Sequence, residues 1–228
     1  MNTDAAPLTI SLLFIITTLF TLIWIIKKFK ASKLVSAILI LWLLVQALLS
    51  INGFYQNLNT IPPRFILLIL PPLIFIIYVF TASQGQRFIS TLTIKDLTLL
   101  HIIRIPVELV LWALYNAKQV PMLMTFEGCN FDIFSGISAP IIYYYIIKNE
   151  NINKNILIAW NVICTLLLMI IVCIAILSAP SPLQLLSFEQ PNIGVFKFPF
   201  NWLPSFIVPV VLFSHLVSLK KLFKPQLN

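Results

Sequence analysis

The run ILILWLLVQALL, residues 38–49, admits one kind of backbone. Its apolar side chains follow one another without the in-out alternation of a half-buried strand, and only Gln46 interrupts them. Where lipid is the solvent, every N–H and C=O must find a partner inside its own segment, so such a run is a helix. The same pattern recurs on either side. Of the 228 residues 60% are hydrophobic and 10% charged, and the mean hydropathy is +0.99, far from the values of soluble domains. Seven runs, roughly 8–26, 34–52, 65–82, 97–116, 131–147, 155–178 and 204–219, are expected as transmembrane helices. Most approach the ~20 residues that cross ~30 Å of hydrocarbon. No polar stretch is long enough for a soluble domain, so residues 1–228 read as a single all-α transmembrane domain.

The cations orient it. With the N-terminus outside and the C-terminus cytoplasmic, the inner connections carry Lys27, Lys28, Lys30, Lys33, Arg87, Lys95, Lys148, Lys154, Lys220, Lys221 and Lys224, eleven of the fifteen Lys and Arg. The outer side keeps Arg64, Lys118 and Lys197, and Arg104 falls inside a span. That asymmetry is the positive-inside pattern. It also accounts for the net charge of +8, since these cations meet anionic headgroups of the lipid bilayer; there is no basic soluble surface to hold nucleic acid. The first apolar run is preceded by Asp4 and followed by KKFK, the reverse of a secretory signal, and is expected as a retained helix. Of the three cysteines, Cys164 and Cys173 lie in the sixth run and Cys129 in an outer loop, so no intrachain disulfide is expected.

The fourth run is the unusual one. Within HIIRIPVELVLW, residues 101–112, His101, Arg104, Glu108 and Trp112 fall, with Tyr115, on one stripe about 80° wide at 100° per residue. Lipid would strand these charges, and an Arg at mid-span costs about 2.5–3.5 kcal/mol even on lenient insertion scales. The stripe is therefore expected to face other helices or a wet cavity. Arg104 and Glu108, four residues apart, are expected to neutralise one another, although this order opposes the helix dipole. Asn161 and His215, on the sixth and seventh runs, lie at about the depth of His101. The expected binding pocket is thus His101, Arg104, Glu108, Asn161 and His215.

A second cluster, Glu127, Asn130 and Asp132, sits in the connection that precedes the fifth run, on the expected outer face. Such side chains cap helices or hold a cation, but their spacing matches no loop-ligand pattern. The segment 179–204, rich in Phe, Trp and Pro, is expected as an interfacial lid on the outer surface.

The wording MTFEGCNFDIFSGISAP (124–140), AWN (159–161), ILSAPSP (176–182) and FPFNWLPSFIVPVVLFSHL (198–216) resembles a family of uncharacterised bacterial integral membrane proteins, over roughly residues 100–220. In that family an Arg commonly follows the Gly of MTFEG, where this chain has Cys129. The resemblance implies a multi-pass protein of the bacterial inner (cytoplasmic) membrane and carries no activity.

Three function classes follow. The first is binding or transport of a small molecule or proton through the intramembrane polar pocket. The second is a membrane redox, metal or haem enzyme using His101 and His215, although zinc asks for three or four ligands and bis-His haem for facing helices with iron between them. The third is an accessory structural subunit. Residues 204–219 hold no lysine for a retinal Schiff base, no nucleophile elbow surrounds the serines, and no Gly-rich phosphate loop occurs. Cofactor, catalytic residues and oligomeric state stay open at this level.

Overall fold

The computed structural model describes residues 6–57, 60–148 and 153–223; Asp4 and Lys224 lie outside the described residues. Within them the chain is all-α, with eight helices: α1 (Leu8–Lys27), α2 (Lys33–Ile51), α3 (Ile66–Thr81), α4 (Ser83–Thr91), α5 (Ile94–Asn116), α6 (Ile133–Lys148), α7 (Lys154–Leu177) and α8 (Leu203–Phe223). Five of them, α1, α2, α5, α7 and α8, are long and apolar enough to cross a membrane. A sixth span results if α3 and α4, bent by 87° at their junction, count together. The chain is a multi-pass membrane protein and sits in a lipid bilayer.

The expected count of seven full spans is thereby reduced to five or six, and the fifth run is where it differs most. Helix α6 has 16 residues, about 24 Å at 1.5 Å each, which is short of the hydrocarbon thickness. Its first turn lies at the middle of α5: a Cβ on Gly136 would come within 2.9 Å of Ile105 Cγ1 and 3.2 Å of Arg104 Cβ. Arg104 itself stands about 15 Å along α5 from Ile94. The far end of α6 packs Ile142 and Ile146 with Ile94. Thus α6 runs beside only one half of α5, and residues 117–132 fold back into the bundle to reach its start. Met124, Thr125 and Asn130 of that segment are buried, which is what lets irregular backbone exist at membrane depth.

The α3–α4 corner depends on Gly85, whose added Cβ would lie 2.1 Å from the Val79 carbonyl oxygen. Lys220 donates to Gln86, and Lys221 Nζ donates to the Ser90 carbonyl at 3.0 Å, so α4 is pinned to the end of α8. Helix α8 opens with a π-helical turn over Leu203–Ile207. Pro209 has no N–H for the Ser205 carbonyl four residues back. Trp42 of α2 supplies the donor instead, its indole Nε1 lying 2.9 Å from Ser205 O.

The long segment 179–204 does not lie flat as a lid. Val195, Phe196, Phe200 and Trp202 are buried, and the backbone N–H groups of Ile193 and Gly194 donate to Gln119 O at 3.0 and 2.7 Å. Asn201 Nδ2 and Trp202 Nε1 donate to the Gln46 and Leu43 carbonyls, each at 2.9 Å. Only its first part shows Leu183, Leu185 and Phe188 to the exterior. The aromatic content that reads as a surface belt fills one end of the bundle, where its side-chain donors reach carbonyls of α2 and its rings meet apolar neighbours.

Candidate functional site

Arg104 is the hub. It is 2% exposed, and its partners come from three places in the chain. Nε donates to Asp132 Oδ2 at 2.7 Å, and Nη2 forms an ion pair with Asp132 Oδ1. Nη2 also donates to the Cys164 carbonyl at 3.3 Å, and Nη1 lies 3.1 Å from His215 Nε2. A guanidinium can only donate, so His215 Nε2 accepts. His215 Nδ1–H is then the donor to Asn161 Oδ1 at 2.9 Å, an assignment supported by Asn161 Nδ2 donating to Leu157 O.

Arg104 and Glu108 are therefore not the ion pair that their spacing suggests. Glu108 Oε1 and Oε2 each accept from Asn130 Nδ2 at 2.7 Å, and Asn130 Nδ2 also donates to Met124 O. Asn130 Oδ1 in turn accepts from the Asp132 N–H at 3.1 Å. The two clusters expected at separate places are largely one network. Asn130 and Asp132, buried at the start of α6, join Arg104 and Glu108 of α5. Glu127 does not join; it accepts from Trp112 Nε1 at 2.9 Å in an exposed setting.

His101, Asn161 and His215, placed at one depth by the sequence, come together. The rings of His101 and His215 stack at 3.9 Å with 17° between planes, and Trp160 meets both, at 5.5 and 5.7 Å. Both ring nitrogens of His101 are buried and lack a hydrogen-bond partner among the described residues. Stacked rings direct their in-plane lone pairs side by side, so the pair does not converge on a common ion. No group of three or more His, Cys, Asp or Glu among the described residues is placed to hold a metal.

Against this network lies a cavity of about 150 Å³. Its walls are apolar side chains of α3, α5, α7 and α8, among them Leu68, Leu111, Leu168 and Leu212, together with Val195 and Phe196. Glu108 and Asp132 are its ionisable lining residues. Asn192, from segment 179–204, is a lining residue that sequence reasoning missed. Its only signal was an amide after a proline in the polar stretch SFEQPNIG (187–194), which distinguishes it little from a turn residue. The pocket expected from the sequence thus differs in kind: His101, Asn161 and His215 form a packed polar cluster behind Arg104, and the open space is apolar with an acidic wall.

Residues 61–223 match the family model described as a domain of unknown function, DUF8737. The chain belongs to that family. No curated protein and no solved structure matches it.

Proposed function

We propose that this member of the family binds a small molecule inside the bilayer-embedded cavity beside Glu108, as the binding step of a transport or sensing function. The observation that carries this reading is the space itself: about 150 Å³ in contact with two carboxylates that are 2% and 5% exposed. Intramembrane carboxylates are costly and mark ligand or ion paths, and a mostly apolar cavity with a few polar groups is the usual form of a small-molecule site.

A proton route is less well supported than a binding site. The line from Glu108 to His101 passes through the Asn130 amide and the Arg104 guanidinium, and neither releases a proton readily. Alternative readings assign redox chemistry to the histidines or a packing role to the charges, but neither uses the cavity.

The cation distribution supports a single membrane domain with the N-terminus outside and the C-terminus cytoplasmic. Seven crossings accord with that orientation when 117–132 and α6 together make the fifth. The bacterial inner membrane is the location that the sequence resemblance implies.

Photolabelling tests occupancy. In lipid nanodiscs, a compact uncharged alkyl-diazirine probe should label peptides spanning Val107–Leu111 and Leu168–Ile176, and Ala175→Phe, which fills the cavity, should remove that labelling in a chain that still melts cooperatively. Labelling that persists in the filled variant sinks the proposal.

A further inference from the structure

We infer that the cavity selects organic cations: a compact apolar body carrying one protonated amine, with the ammonium set against Glu108. This rests on the binding reading above and adds the class of ligand.

The chemistry of the walls is one-sided. Glu108 and Asp132 line the cavity with acceptor-only carboxyl groups, and since Arg104 takes both Asp132 oxygens, Glu108 is the acceptor left for an occupant. The nearby donors are already committed. Asn192 Nδ2 donates to Ala175 O at 3.0 Å, Asn130 Nδ2 to Glu108 and Met124 O, and Arg104 to Asp132, His215 and Cys164 O. An occupant that satisfies these walls has to donate hydrogen bonds. An anion would have to strip Arg104 from Asp132.

Charge points the same way. Two carboxylates share one guanidinium, and Arg104 is bound to Asp132, which leaves Glu108 held by a neutral amide. A carboxylate with about four lone-pair sites has room for further donors beside one amide nitrogen. An ammonium placed there supplies the counter-charge that a buried carboxylate requires. Size limits the rest of the molecule, because a cavity of about 150 Å³ holds a body near the size of benzene. Access is lateral. Helices α3 and α7 each line the cavity but pack on α8 far more than on one another, and Met169 on its wall is 43% exposed at the lipid-facing surface. Amphiphilic amines partition into bilayers and would meet that opening.

Two diazirine probes of about eight heavy atoms, one a primary amine and the other its alcohol isostere, test the inference on the full chain in zwitterionic nanodiscs at neutral pH. The amine is expected to half-saturate labelling of the α5 and α7 peptides at a concentration at least about tenfold lower than the alcohol. Glu108→Gln should bring the two within about twofold while alcohol labelling persists, which also reports that the variant is folded. Equal half-saturation in the wild type, or an amine preference untouched by Glu108→Gln, overturns the cation inference and leaves the cavity-binding reading standing. Failure of both probes to label the cavity peptides overturns that reading as well. Should Glu108→Gln not fold, competition in the wild type decides: cyclopentylammonium must displace the alcohol probe at lower concentration than cyclopentanol, and equal displacement refutes the inference.

Discussion

Arg104 carries the largest electrostatic stake of any single side chain here, since it is buried and its charge is met by Asp132 rather than by Glu108. Removing one member of a buried pair leaves the other uncompensated, so Arg104→Met or Asp132→Leu alone should destabilise the protein by about 3–5 kcal/mol, and the double variant should regain much of that loss. The discriminating measurement is a pair of double-mutant cycles followed by unfolding in detergent. Coupling of Arg104 with Asp132 should exceed its coupling with Glu108 by at least about 1 kcal/mol. The reverse order would mean that α6 does not start beside Arg104. His215 is tied to the same hub through a defined tautomer, whereas His101 contributes its ring faces and, among the described residues, no side-chain hydrogen bond; two histidines alike in the sequence thus have different physical roles.

Helix α8 shows how an element survives its own prolines. Pro209 leaves the Ser205 carbonyl without its intrahelical donor, and the turn over Leu203–Ile207 widens to π geometry while Trp42 of α2 pairs with that oxygen. Trp42→Phe should strand the carbonyl at a cost of about 1–3 kcal/mol. Pro209→Ala restores an N–H four residues along, so adding it to Trp42→Phe should recover part of the loss. A double variant no more stable than Trp42→Phe alone would show that the indole acts by packing only. Helix α6 is the other element that periodicity misjudges. Its residues are apolar enough to be taken for a full span, but Gly136 permits a close approach to Ile105 and Arg104, and the helix begins where that approach occurs.

For the molecule as a whole, orientation is the first property to measure. Lys118 is exposed just past the end of α5, so in cells expressing a chain with Cys129→Ala, Cys173→Ala and Lys118→Cys, the new thiol should react with a reagent that cannot cross the membrane, and a reporter fused to the C-terminus should be active only in the cytoplasm. An external C-terminus would overturn the inside-outside assignment drawn from the cations. The helical class, the positions of most helices and the residues too polar for lipid were all legible in the sequence. Each depends on local rules: backbone pairing within a segment, the length needed to cross hydrocarbon, and the cost of a charge there. The stripe His101, Arg104 and Glu108 is likewise a property of one helix, and depth along the chain brought Asn161 and His215 to the same level. Which face of one helix lies opposite which face of another is not a local quantity. Asp132, 28 residues from Arg104, becomes its partner only because residues 117–132 fold back and α6 starts at mid-depth. The tertiary packing alone decided that the carboxylate four residues along the helix would go to an amide, that two polar clusters would merge, and that the space beside them would be apolar.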